Sequence, residues 1–140
     1  MTDINDAHHI TEVLKTAKTI AVVGLTDSPL RPSYGVSHYM RSQGYRIIPV
    51  NPNIADWEGE KAYASLLEVP EKVDIVNVFR RSEAVPEVVD QALQINAPVI
   101  WMQEGVIHEE AAEKARQAGA FVVMDLCILK EHRRRDLGGK

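Results

Sequence analysis

Gly24 follows the apolar run Thr19-Ile-Ala-Val-Val23 and precedes two hydroxyls, Thr26 and Ser28, and a cation, Arg31. A glycine there lets the backbone turn sharply and present N–H groups at the start of a following helix, where partial positive charge gathers. The segment Gly24, Leu25, Thr26, Asp27, Ser28, Pro29 and Arg31 therefore has the parts of a phosphate-holding loop. It reads equally well as a connection closed by a capping serine, Ser33. A dinucleotide fingerprint, G-x-G-x-x-G, would need glycines at 26 and 29, where Thr26 and Pro29 stand, and the Gly-Lys-Ser/Thr of a Walker A loop is missing.

Three further stretches carry polar groups at the ends of apolar runs. Asn51 and Pro52 follow Tyr45-Arg-Ile-Ile-Pro-Val50. NAD-binding domains place Asp or Glu at the end of the second strand to accept hydrogen bonds from ribose hydroxyls. An asparagine there disfavours NAD and removes repulsion against a ligand phosphorylated on its ribose, as NADP and coenzyme A (CoA) both are; Asn-Pro is also an ordinary turn signal. Arg80 and Arg81 follow Val78 and Phe79. A guanidinium at that position can grip phosphate with two hydrogen bonds, or simply lie solvated beside a helix start. Met102, Gln103 and Glu104 with Gly105 end a fourth run, as a lip for a ligand or as a turn.

Other groups argue for less. The five histidines, at 8, 9, 38, 108 and 132, form no His-Glu-x-x-His or comparable set, so no metal site is expected. Cys127 could act as a nucleophile or exchange with a thiol, but as a lone cysteine it reads first as a small packing residue. Trp57 and Trp101 read as packing residues, and Arg133-Arg-Arg135 as a solvated tail.

The elements that must position these residues follow from periodicity. Short, largely apolar runs at 19–25, 45–50, 73–79, 98–102 and 121–124 read as strands, the first, which has no charge, as one covered on both faces. Helical spacing marks 6–17, the stretch from Ser33 to Gly44, a helix capped by Ser82, the segment 108–118, and a short helix from 126 into the 131–135 tail. Residues 54–72 read as an irregular crossover with one short helical turn. Strands alternating with helices predict an α/β fold with a doubly wound, mainly parallel five-stranded sheet, whose ligands sit at the strand carboxyl ends.

The 140 residues, 45% of them hydrophobic, suit a single domain spanning 1–140. A net charge of −4 gives no general attraction to nucleic acid or anionic membrane, and neither is an expected partner. One cysteine excludes an intrachain disulfide. The first six residues lack a basic segment leading into an apolar one, and a cytoplasmic location is expected.

Taken in order, Val23-Gly-Leu-Thr-Asp-Ser-Pro-Leu-Arg-Pro-Ser-Tyr-Gly35, Ile48-Pro-Val-Asn-Pro52, Asp74-Ile-Val-Asn-Val-Phe-Arg80, Trp101-Met-Gln-Glu-Gly-Val106 and Cys127 resemble the Rossmann-like CoA-binding domain family related to the amino-terminal domain of the succinyl-CoA ligase α subunit. The resemblance implies that Gly24 to Pro29 hold the CoA phosphates. It further implies that Asn51 and Pro52 border the nucleotide, and that Val78 to Arg80 with Met102 to Glu104 line the rest of the cleft. Ile54 stands where the ligase has a lysine, a charge that Arg31 or Arg80 could supply. The ligase's phosphohistidine domain has no counterpart in these residues. The expected function is binding of CoA or an acyl-CoA without a reaction of its own. An NADP-dependent oxidoreductase with Arg80 on the ribose phosphate, or a CoA-responsive regulatory or scaffold protein, are the alternatives; the apolar helices are compatible with a homodimer.

Overall fold

The structure is a computed structural model that describes residues 2–137, so residues 1 and 138–140 of the expected domain lie outside it. Five strands, β1 (Thr19–Val23), β2 (Arg46–Val50), β5 (Ile75–Val78), β6 (Val99–Met102) and β7 (Phe121–Val123), form one sheet in the order β2-β1-β5-β6-β7. Every pairing in it is parallel. Five helices flank it: α1 (Ala7–Thr16), α2 (Pro32–Ser42), α3 (Val85–Gln94), α4 (Glu109–Gln117) and α5 (Ile128–Arg135). The α/β, doubly wound parallel sheet predicted from periodicity is the observed fold.

Alternation along each strand divides the interior into two layers. Ala21, Val23, Val76, Val78, Ile100 and Met102 pack with α3 and α4, while Ile20, Val22, Ile75, Val99 and Trp101 pack with α1, α2 and α5. α3 buries Val85, Val88, Val89 and Ala92 on one stripe. Each such valine contributes on the order of 1.5–3 kcal/mol by leaving water. Trp57 and Trp101 are fully buried, as packing residues should be, and Cys127 is buried as well.

Several helix starts differ from their sequence reading. α2 begins at Pro32, with Arg31 extended at its N-cap. Proline suits this first position because its fixed φ is helical and its missing N–H would have no partner there. Ser33 therefore lies inside the helix, and its Oγ accepts from the Thr26 N–H at 3.2 Å, tying the loop down. Ser82 opens a 3-10 turn, Ser82–Ala84, instead of capping α3. Its hydroxyl accepts from the Ile107 N–H at 3.0 Å. His108 precedes α4 and caps it, Nδ1 accepting from the Ala111 N–H at 3.1 Å.

Two regions read as irregular or solvated are built structure. Within residues 54–72, β3 (Asp56–Trp57) and β4 (Glu60–Lys61) pair antiparallel, followed by a 3-10 turn at Leu66–Glu68. Trp57 pins this hairpin to α2, its ring edge-on to Tyr34 and covered by the Arg41 guanidinium. Glu58, at φ 47°, pairs with His38 and Arg41. The 131–135 segment belongs to α5, with Glu131 and His132 buried. Arg135 bonds Glu131 at 2.8 Å and the Thr11 hydroxyl at 2.7 Å, so it is not a solvated tail residue.

At the β7 edge, Asn5 behaves like a fragment of an added strand. Its N–H donates to the Val122 carbonyl at 3.0 Å, and its side-chain amide exchanges two hydrogen bonds with the Met124 backbone. Among the described residues no helix is long and apolar enough to cross a membrane. No group of three or more His, Cys, Asp or Glu side chains able to hold a metal ion gathers among them either.

Candidate functional site

Gly24 leaves β1 at φ +93°, and a Cβ there would stand 2.1 Å from the Phe79 carbonyl oxygen. Only a residue without a side chain allows the β1 and β5 ends to approach so closely. Hydrogen bonds align the neighbouring strand ends: Gly24 N–H donates to Val50 O at 2.9 Å, and Phe79 N–H to Val23 O at 2.8 Å. Asn51 joins the second strand to the loop after the first. Its Nδ2 donates to Leu25 O at 3.0 Å, while its Oδ1 accepts from the Asn53 N–H at 2.9 Å in a side-chain-closed turn.

These contacts frame a cleft of about 410 Å³ at the carboxyl ends of β1, β2 and β5, bordered by the crossover at Ser65 and by α3. Gly24, Asn51, Pro52, Phe79 and Arg80, all singled out from the sequence, line it. Asn53, from the turn after the second strand, lines it too, and so do Ser65, Glu87 and Gln91, which were not anticipated. Glu87 could have been noticed as a charge in the first turn of a helix that starts at a strand end. Ser65 could not, because its position depends on how residues 54–72 fold. Ser65 and Gln91 are joined by a 3.3 Å hydrogen bond that ties the crossover to α3.

The remaining sequence candidates fall elsewhere. Leu25 is buried in the layer beneath α2, and Val78 and Met102 are fully buried in the layer beneath α3 and α4. Gln103 is also buried: its Nε2 donates to Asn77 Oδ1 at 2.6 Å and its Oε1 accepts from the Ile128 N–H at 3.4 Å. The expectation that Val78, Met102 and Gln103 line the cleft is therefore corrected, since helices cover their side chains. Glu104 is exposed and paired with Lys130 at 3.0 Å, whose pKa this hydrogen bond raises. Asp27, Pro29 and Arg31 are exposed on the β1–α2 loop beside the cleft, and Ser28 is half-buried there. Thr26 Oγ1 is buried with no hydrogen-bond partner among the described residues. A second cavity, of about 460 Å³, lies at the opposite, amino ends of the strands, between α1 and α4, and contains none of the residues singled out.

Residues 18–133, which hold every strand of the sheet and the whole cleft, match the family model described as CoA binding domain. The chain belongs to the CoA binding domain family. α1 and the Asn5 clasp precede the part that this CoA binding domain model covers. The uncharacterized protein YneT of Bacillus subtilis is 50% identical over 123 residues, which are 88% of this chain and 91% of YneT. ADP-forming acetate–CoA ligase II of Archaeoglobus fulgidus is 30% identical over 129 residues. That match takes in 86% of this chain but only 18% of the ligase, so the CoA binding domain here spans a small part of that relative. Among solved structures, a hypothetical protein from Pyrococcus horikoshii OT3 superposes with a TM-score of 0.90 at 35% identity, covering 96% of both chains.

Proposed function

We propose that this chain is a single binding domain for CoA or an acyl-CoA, held at the carboxyl ends of the parallel strands and not chemically changed there. Membership in the CoA binding domain family supports this ligand class. The observation that supports the location is the Gly24 corner, half-buried and free of a side chain beside Arg80 and Asn51 in the cleft. In this reading the pyrophosphate lies over Gly24, where no side chain intrudes. Arg80, whose Cδ stands 3.2 Å from the position of a Gly24 Cβ, supplies the guanidinium. Asn51 and Asn53 border the adenosine. The cleft accounts for the nucleotide part of the ligand, leaving the pantetheine arm to run outward across the sheet edge.

The reading as a binder rests on what gathers at this edge. Cys127 is buried, and the amine that acts on it electrostatically, Lys130, is already paired with Glu104. Arg80 and Glu87 are the charged side chains among the cleft residues. Neither arrangement supplies a nucleophile with its base.

A titration with CoA, acetyl-CoA, NAD and NADP, followed by thermal unfolding, tests the reading. A ligand that binds only the folded state stabilises it by about 2.7 kcal/mol at a hundredfold excess over Kd. CoA and acetyl-CoA are expected to raise Tm and NAD to leave it unmoved. A shift with NADP alone would transfer the site to a nicotinamide cofactor.

A further inference from the structure

The cleft is dipolar. Arg80 lies against the Gly24 corner at the strand ends, and Glu87 projects from the first turn of α3 next to Gln91 and the crossover serine, Ser65. Both are exposed, and among the described residues neither is used in an ion pair or hydrogen bond with another side chain. Their charges are therefore directed to solvent or to whatever enters. Asn51, also in the cleft lining, has both amide atoms already engaged, one on Leu25 and one on Asn53, and it carries no charge. Pro52 has no N–H to offer, and Ile54, the apolar residue just beyond, packs partly buried against the core beneath α2.

From this arrangement we infer that Glu87 is the specificity-determining residue at the adenosine end of the cleft, accepting hydrogen bonds from the nucleoside and opposing a phosphate on its ribose. The inference rests on the CoA reading above and sharpens it. A carboxylate is an acceptor only, so it matches the donors of a nucleoside, its ribose hydroxyls and exocyclic amine. The same charge repels a phosphomonoester, while the cation of the cleft, Arg80, stands at the Gly24 corner, where the reading above puts the pyrophosphate. The removal of a carboxylate from the second strand end, which the sequence offered as a reason to accept a ribose phosphate, is thus offset by a carboxylate on α3. The ligand class that fits is an adenosine diphosphate carrying a pantetheine arm, with or without the 3′-phosphate. Dephospho-CoA is then as good a ligand as CoA itself.

Calorimetric titration of the whole chain with CoA and with dephospho-CoA, at one moderate ionic strength, reads the ratio of the two dissociation constants directly. For the unaltered protein the ratio is expected to lie within about threefold of unity, since an exposed carboxylate is strongly screened. Glu87→Gln keeps the shape of the side chain and should shift the ratio toward CoA by about threefold. Glu87→Lys, which puts a cation where the phosphate would sit, should shift it by about tenfold or more. Because Glu87 is exposed, the variants are expected to keep the thermal midpoint of the parent, which serves as the folding control. A parent that prefers CoA by tenfold or more would overturn the assignment. So would a ratio that Glu87→Lys leaves unchanged. Failure of both compounds to bind would instead remove the CoA reading, and this inference with it.

Discussion

A methyl group at Gly24 would meet the Phe79 carbonyl oxygen at 2.1 Å, on a backbone whose φ of +93° L side chains rarely adopt. Gly24→Ala combines overpacking with backbone strain and is expected to destabilise the fold by about 2–3 kcal/mol, read as a lower urea midpoint. Arg80 separates binding from stability because it is exposed. Arg80→Ala should weaken CoA by about tenfold, the loss of one charge-assisted contact, with the urea midpoint unmoved. Arg31→Ala should change affinity by less than about twofold, since Arg31 sits at the α2 N-cap outside the cleft lining and its contact would be solvent-screened. Calorimetry on the two variants decides which arginine replaces the ligase's lysine. Gly24, Asn51 and Arg80 were legible in the sequence because each directly follows a largely apolar run, and strand ends in a parallel sheet are where ligands go. Glu87 and Ser65 were not, because the cleft's far wall comes from packing between residues distant in the chain.

Gln103 belongs to the scale of elements. It was read as a lip for the ligand, and polar character at a strand end cannot distinguish a lip from a tie. Its amide links β5, through Asn77, to the first N–H of α5. Trp101 reinforces the tie, its Nε1–H donating to Leu126 O at 2.8 Å, and so does Asp125, which accepts from the Gly105 N–H at 2.7 Å. Gln103→Leu would leave Asn77 Oδ1 buried without its donor, at a cost of about 1–3 kcal/mol. CoA affinity should stay within about twofold of the parent, because the side chain faces α5; denaturant unfolding and calorimetry on the same sample check both halves. The strands were readable from their apolar runs, and α3 from its valine stripe. The β3–β4 hairpin was not, since two-residue strands carry no periodicity and depend on Trp57 finding Tyr34 and Arg41.

For the whole molecule, stability is bounded by pH on two sides. Hydrogen bonds from Tyr34 to Glu58, from Arg46 to Glu71 and from Arg116 to Glu113 hold these carboxyls below their ordinary range. Their contribution is complete above the unfolded value of 4.5 and is lost as pH falls through the lowered folded values. Tyr45 works in the opposite direction: burial, with the nearby Tyr39, pushes its phenol from 10.0 to about 12. Its hydroxyl donates to the Leu14 carbonyl, joining the residue that leads into β2 to α1. The unfolded chain loses this proton first, so stability is full below pH 10.0 and declines as pH rises toward about 12. Tyr45→Phe should flatten that alkaline decline while lowering stability at neutral pH by about 1 kcal/mol, measured by denaturant titration across the range. At this scale composition and alternation were enough to give the doubly wound sheet. They could not show α5 packed down through Glu131 and Arg135, because a run of three arginines looks the same on a helix as in a solvated tail.

The Asn5 clasp has a meaning for how molecules meet one another. An outer parallel strand with open N–H and C=O groups is a template on which a second chain can extend the sheet. Asn5 answers those groups at Val122 and Met124 with its own backbone and amide, from a segment that precedes the family-matched region. The clasp thus works as partial insulation: it occupies the Val122 carbonyl and both Met124 backbone groups, shortening the stretch of that edge on which a neighbour could pair, while the ligand end stays open.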